Sequence, residues 1–556
     1  MHDRTLSADP PAAKSHDRVR AWLADARARF RRIEQEPLPP NVPALLATAA
    51  AATPDRVALH FIETGVEITY AALLADVRRF AEGLARAGVG RGTHVAVMLP
   101  NVPEMPITWL ALATLGAVMV PVNIRYTEHE LHYVLTDSGA RHLVIDQAFA
   151  GLVERMPGRP KSLTVIVVGE APAGALAWRD LVEAASGAFA AGAEPGIDDL
   201  LNIQYTSGTT GWPKGCLLTH RYWLTCAKAY SASDGLTYRR LMSSNPFFYM
   251  TPQWLMLMAF FQNATLYVAP YLSLTRFTDW LRAYRIEFCW FPTDIVAQTP
   301  PRPEDSGLRL RRGNLAVHRA DLHAELERRF GFPARAAFGM TEIGCGLTMP
   351  IEAAEMVGSG SCGIAGPFRE ARIADAEGRT LPSGESGELL IRGLGIFRGY
   401  FGKPDATAAA FHGDWFRTGD LAVEDADGFF TIRGRIKEMI RRAGENISAT
   451  EVEAALLAIP GVAEAAALPV PDALRGEEVK AVLVLEAGLT AADLAPETIV
   501  VECSRRLAPF KLPRFIEYRS APLPRSTSGK VRKPDLLAEK ADLRKGAWDR
   551  VTGAWG

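Results

Sequence analysis

The chain reads as an α/β protein, with a large N-terminal domain of layered α/β subdomains, a β-rich subdomain within it, and a small α+β C-terminal domain. Three observations predict this. Its 556 residues exceed what one hydrophobic core supports. From about residue 45 onward, short apolar runs alternate with helical patterns, as stacked α/β layers require. After Gly363 the pattern changes to short strands punctuated by Gly, Pro and Asp, and a second compact unit begins at Arg435.

Taken in order, residues 1–40 form an N-terminal extension. Asp17 is placed to cap a helix running to Gln35, with Val19, Trp22, Leu23, Ala26, Phe30 and Ile33 on one face and Arg18, Arg20, Arg27, Arg29, Arg31 and Arg32 around it. Such a basic amphipathic helix either docks on the protein's own surface or makes peripheral contact with a membrane or a partner. The run Pro37-Leu38-Pro39-Pro40 breaks the chain before the large domain, residues 41–434. Within it, residues 71–87 predict an amphipathic helix and 94–99 a short buried strand. Residues 107–117 are apolar nearly all round, which predicts a buried helix leading into a strand at 118–122. Another strand is expected at 200–205, and a helix at 321–330. In the C-terminal unit, 435–556, helices are expected at 449–457 and 498–507 and strands at 462–469 and 478–485. No internal repeat or low-complexity tract interrupts the sequence.

Composition narrows the function. Apolar residues make up 48% and charged residues 22%, as in ordinary globular proteins. A net charge of −1 provides no field to draw in nucleic acid. The six cysteines are scattered with no C-x-x-C pair, which argues against a disulfide framework or a zinc site and fits a reducing cytoplasm. The most apolar windows, 109–122 and 254–269, are broken by Pro121 and by Gln262 and Asn263, short of the ~18–20 uninterrupted residues of a membrane span. The sequence predicts a soluble protein.

The most informative stretch is Tyr205-Thr206-Ser207-Gly208-Thr209-Thr210-Gly211-Trp212-Pro213-Lys214-Gly215. Glycines let backbone N–H groups turn inward, hydroxyls add donors, and the lysine adds a point charge, which together suit a loop wrapped around a polyphosphate. Pro213 precedes Lys214, so the loop is not of the G-x-x-x-x-G-K-[ST] type. A short Ser/Thr/Gly linker would read otherwise, without a strand leading in and Pro-Lys-Gly leading out.

Five further segments follow in order: Phe338-Gly339-Met340-Thr341-Glu342, Gly387 to Gly393, Trp415 to Leu421 with Asp420, Gly434 to Ile440 with Gly444-Glu-Asn446, and Pro524 to Lys530. With the phosphate loop, they resemble the adenylate-forming superfamily of acyl-CoA synthetases, peptide-synthetase adenylation domains and beetle luciferases, over about residues 45 to 535. The phrase from Gly395 to Thr407 is similar to stand-alone acyl-CoA ligases. The resemblance implies that a carboxylate attacks the α-phosphate of ATP, giving an acyl-adenylate and pyrophosphate, and that coenzyme A then takes the acyl group and releases AMP. Converging negative charge makes neutralisation and alignment the main catalytic contributions.

By resemblance, Thr206, Ser207, Gly208, Thr209, Thr210, Gly211 and Lys214 hold the leaving phosphates. Thr341 contacts the α-phosphate and Glu342 the Mg²⁺, which needs only one or two protein oxygens. Phe338, with Gly339 and Met340, lies beside adenine. Asp420 accepts the ribose hydroxyls, and Arg435 contacts ribose and phosphate. Lys530 is the catalytic lysine, reaching in from the small domain. Lys437 stands at a hinge about which that mobile domain rotates, withdrawing Lys530 and presenting Gly444 at the pantetheine tunnel.

Two departures bear on the acid. Tyr249 stands where most relatives carry a His bordering the carboxylate pocket; a phenol donates a hydrogen bond but does not titrate near neutrality. The segment Gly313 to Arg319 replaces the usual small-residue run, so His318 and Arg319 either line the pocket and favour a second polar group on the substrate, or are solvated at the start of a helix. Tyr249, Trp254 and the Phe-rich stretch 247–261 suggest an apolar wall. Two alternatives stand beside the ligase: an adenylating enzyme that serves a carrier protein or an amine, and a silent nucleotide-binding partner. Retention of Lys530, Glu342 and Asp420 speaks against the latter.

Overall fold

The protein is described from a computed structural model covering residues 16–156, 158–160, 162–186, 194–206, 213–316, 320–442, 445–507, 509–526 and 529–556. Its architecture is mixed α/β, with two large sheets, a smaller antiparallel sheet and a C-terminal sheet.

One large sheet runs, edge to edge, through Leu176–Ala177, Thr164–Val168, His142–Asp146, His94–Met98, Val118–Pro121, Leu200–Thr206 and Lys214–Thr219. Its strands are parallel up to the last pair, an antiparallel hairpin that puts Thr206 opposite Lys214. In the other, the strand Ala334–Met340 lies parallel to Arg312–Leu315 and pairs antiparallel with Gly344–Thr348, which leads to the edge strand Ile364–Ala365. Phosphate-loop and Thr341-Glu342 segments therefore leave the carboxyl ends of strands in two neighbouring sheets, where α/β folds bind ligands.

The main core lies between these sheets around Trp109, Trp223 and Trp254, all buried. The expected apolar helix is Glu104–Leu115, buried on nearly every side and stopped by Gly116, whose φ of 65° only glycine adopts without strain. Tyr70–Arg86 supplies the amphipathic helix, capped by the Thr69 side chain. A five-stranded antiparallel sheet spanning Arg369–Ala374 to Phe430–Arg435 forms the β-rich subdomain.

The N-terminal helix, His16–Gln35, docks on the protein itself. Val19, Trp22, Leu23, Ala26, Phe30 and Ile33 are all buried, and Trp22 meets Phe429 edge-on with ring centres 5.9 Å apart. Arg29 pairs with Glu352 at 2.9 Å, and Glu34 accepts the Phe368 N–H at 2.7 Å. The apolar stripe is thus covered by the chain's own core, and the outward face carries Arg20, Asp25, Arg27, Arg31, Arg32 and Glu34 among small and polar residues.

In the C-terminal unit, the helix Ala449–Leu457 and the hairpin Val462–Asp472/Gly476–Leu485 enclose a separate core. The first strand extends past the expected end at 469 through Pro469 and Pro471, because it pairs only with Gly476–Leu485, and proline is tolerated on such an edge. The second helix is Pro496–Ser504, opened by proline at its first position, rather than 498–507. Among the described residues, no helix is long and apolar enough to cross a membrane.

Candidate active site

The phosphate-loop hairpin is fixed at its base. Tyr205 donates to Asp137 at 2.7 Å, Lys403 donates to the other oxygen of Asp137 at 3.0 Å, and Tyr133 donates to the Pro213 carbonyl at 2.9 Å. A side chain at Gly215 would place its Cβ 2.5 Å from Ile203, so glycine is required for the two strands to close. Ser207, Gly208, Thr209, Thr210 and Gly211 lie outside the described residues, as do His318, Arg319 and Gly444. Lys214, at the loop's exit, holds its ammonium 4.9 Å from the centre of the Tyr400 ring.

Phe338, Gly339 and Met340 end their strand partly open to solvent, and Thr341 follows in the turn. Glu342 turns inward. It is 7% exposed and accepts a 3.0 Å hydrogen bond from the Tyr400 hydroxyl, while its main-chain carbonyl accepts the Phe397 N–H at 2.8 Å. Burial raises its carboxyl above the ordinary range, against the pull of the Tyr400 bond, Arg435 and Lys214.

Asp420 and Arg435 face each other across adjacent strands, with Arg435 Nε 2.9 Å from Asp420 Oδ1. Asp420 Oδ2 is buried with no hydrogen-bond partner among the described residues. Burial pushes this carboxyl up to about 6, although Arg435 and then Lys530 pull it down. The Lys530 charge therefore reaches Asp420 from the C-terminal unit. Its loop is braced by the Ser526 hydroxyl, which accepts the Lys530 N–H at 3.2 Å. Lys437 lies in the single turn Ile436–Glu438 that links the two units.

Lys214, Glu342, Asp420, Arg435 and Lys530 thus share one electrostatic neighbourhood, although more than 300 residues separate its ends in sequence. A buried acceptor lacking a donor suits a sugar hydroxyl, and a buried carboxylate whose partner is a phenol suits a hard cation shared with phosphate oxygens. Among the described residues, no cluster of three or more His, Cys, Asp and Glu could hold a metal ion.

Tyr249 stands at the N-cap position of the helix Met250–Gln262 without a capping hydrogen bond from its side chain, and its hydroxyl accepts from the Asn123 amide at 3.5 Å. Trp254 is buried and stacked on Tyr230 at 4.1 Å, so its ring faces the core. Sequence reasoning missed Tyr400. Its sequence neighbourhood carried the resemblance, but nothing in the spacing indicated that its hydroxyl bonds Glu342.

Comparison with known proteins agrees with this geometry. Residues 46–401 match the family model for AMP-binding enzymes, and 451–530 match that for the AMP-binding enzyme C-terminal domain. The chain is 33% identical to the sulfoacetate–CoA ligase of Cupriavidus necator over 503 residues, 89% of this chain and 97% of that one. It is similar in structure to an anthranilate CoA ligase in complex with anthranoyl-AMP, with a TM-score of 0.82 at 25% identity over 91% of this chain and 98% of that one. It is also similar to the o-succinylbenzoate CoA synthetase of Bacillus subtilis in complex with ATP and magnesium, with a TM-score of 0.77 at 28% identity over 89% and 99% of the two chains. The protein belongs to the AMP-binding enzyme family and is an AMP-forming acid–thiol ligase, which activates a carboxylic acid with ATP in the presence of Mg²⁺ and transfers it to coenzyme A.

Proposed function

We propose that Lys214, Thr341, Glu342, Asp420, Arg435 and Lys530 carry the adenylation half-reaction, and that rotation of the C-terminal unit about Lys437 exchanges it for thioester formation. The observation that supports this most is the buried, unpartnered Oδ2 of Asp420 within reach of the Arg435 and Lys530 charges.

In this reading, Asp420 Oδ2 accepts from the ribose hydroxyls and fixes the nucleotide. Lys214 neutralises the phosphates that leave. Lys530 bridges the acid's carboxylate and the α-phosphate, so that a carboxylate oxygen attacks phosphorus as the bond to pyrophosphate breaks. Glu342, oriented by Tyr400, would hold Mg²⁺, which when bound supplies positive charge to the phosphate oxygens. Once pyrophosphate has left, withdrawal of Lys530 opens the site to the thiol. Its sulfur attacks the acyl carbon, AMP leaves, and the thiol proton passes to solvent.

For the acid, we favour a substrate with an apolar body that packs beside Tyr249 and Phe248, whose rings lie 4.6 Å apart. Six free, buried cysteines among the described residues are consistent with a cytoplasmic setting.

Pyrophosphate release from MgATP across a panel of aromatic, alicyclic, medium-chain and dianionic acids, each with and without coenzyme A, tests the reading. Release that needs an apolar acid and turns over rapidly only with coenzyme A is the expected result. Preference for dianionic acids would overturn the pocket assignment, and acid-dependent release indifferent to coenzyme A would overturn the proposed alternation.

A further inference from the structure

Arg369 opens the strand Arg369–Ala374 and is 6% exposed. Every donor direction of its guanidinium is spent on main-chain carbonyls. Nε and Nη2 donate to Ile343 O at 3.0 and 2.6 Å, Nη1 donates to Phe368 O at 2.9 Å and Leu394 O at 2.6 Å, and Nη2 reaches Gly395 O at 3.4 Å. Among the described residues no carboxylate pairs with it. Its ionisable neighbours are the thiols of Cys345 and Cys226 and the phenols of Tyr222 and Tyr230.

A guanidinium buried without a counter-charge is costly, and only a full set of acceptors offsets the cost. An aliphatic side chain would fill the space without that cost, so what Arg369 contributes is connectivity. Ile343 directly follows Glu342. Leu394 and Gly395 begin the segment that carries Phe397, whose N–H bonds the Glu342 carbonyl at 2.8 Å, and Tyr400, whose hydroxyl bonds the Glu342 carboxylate at 3.0 Å. Both segments that present this carboxylate are thus anchored on one planar fork. The surrounding backbone is committed to that arrangement. Phe368 is held at φ 64°, a conformation unusual for a bulky residue, and a side chain at Gly393 would put its Cβ 1.9 Å from the Phe368 carbonyl oxygen.

We propose that Arg369 is a positioning residue for adenylation: its five-donor fork fixes the 341–344 turn against the 394–400 segment and thereby aims Glu342 at the phosphates. The proposal rests on the role assigned to Glu342 above.

Arg369→Lys keeps the charge and loses the fork; Arg369→Gln, a neutral variant of smaller reach, serves as the second. Two half-reactions are read separately: acid-dependent ATP–pyrophosphate exchange as a function of Mg²⁺ concentration, and transfer to coenzyme A from pre-formed acyl-adenylate, using an acid the panel identifies. Expected for R369K is exchange lowered about 10- to 100-fold, the loss typical of a reacting group misplaced by about 1 Å, with a raised Mg²⁺ requirement and transfer retained within about twofold. Equal loss in both half-reactions, wild-type exchange, or failure of both variants to fold would overturn the proposal, the last by assigning Arg369 to global stability. Glu342→Gln is assayed beside them. If that variant keeps wild-type exchange, the assignment of Glu342 is what has failed, and the proposal falls with it; if E342Q is impaired and R369K is not, only the role of Arg369 is refuted.

Discussion

Replacing Asp420 with Asn is expected to make the ligand-free enzyme more stable and less active at once. In the fold, burial holds the Asp420 carboxyl near 6, against 3.8 for an ordinary aspartate, even with Arg435 beside it. An acid whose value is raised on folding binds its proton more tightly in the native state. The stability this provides is complete below about pH 3.8 and is lost as pH rises through about 6. Above that, the ionised carboxylate costs the ligand-free fold about 3 kcal/mol, as an upper figure. Asparagine keeps the shape without the charge, and Arg435, with a side chain 40% exposed, can return its guanidinium to water. Thermal melts of wild type and D420N, ligand-free, from pH 5 to 8 should show the variant gaining stability relative to wild type up to about pH 7 and levelling off. AMP titrations of the same samples should show affinity lowered about 10- to 100-fold in the variant, the worth of hydrogen bonds to a charged acceptor. A variant less stable than wild type at pH 7.5, or a stability difference that is the same at pH 5 and pH 8, would refute the reasoning.

If Lys530 acts as proposed, on phosphate in the first step only, Lys530→Ala should lower ATP–pyrophosphate exchange by about 100-fold or more while sparing transfer from acyl-adenylate to coenzyme A. Tyr400→Phe removes the donor to Glu342, and exchange should fall about 10-fold, measured at saturating ATP. Trp22→Ala empties a buried site under the N-terminal helix; unfolding in urea should show a loss of about 3–5 kcal/mol, with kcat at 20 °C unchanged. Lys533 ties Glu438, beside Lys437, to the partly buried Glu453, at 2.9 Å to each, so Lys533→Met should destabilise the C-terminal unit by about 1–3 kcal/mol in the same titration.

Much of the fold was legible because its signals are local. Apolar periodicity marks the helices Tyr70–Arg86 and Glu104–Leu115, and Gly and Pro punctuation marks the small antiparallel sheet. The strand that continues through Pro469 and Pro471 was not legible, since a proline is permitted or forbidden by edge position, which only the finished sheet defines. Asp420, Arg435 and Lys530 were named because the segments that carry them resemble those of a known family; composition and spacing alone assign them no role. Tyr400 and Arg369 act through groups far away in the chain, one through a side-chain carboxylate and the other through main-chain carbonyls, and no spacing encodes such contacts. Trp254, expected from its Phe-rich stretch to help form an apolar wall, is buried and stacked on Tyr230, a partner that sequence spacing does not indicate.

The N-terminal helix has a consequence for biogenesis. Its partners are made later: the helix His220–Ala232 and Ser233 about 200 residues on, Glu352 about 320, and Phe429, which meets Trp22, about 400. At roughly 5–20 residues per second, Trp22 spends on the order of 20–80 s without its Phe429 partner on every nascent chain. The arginines around the stripe carry charge that favours water over self-association while that face is uncovered, a use distinct from the Arg29–Glu352 pair of the finished fold.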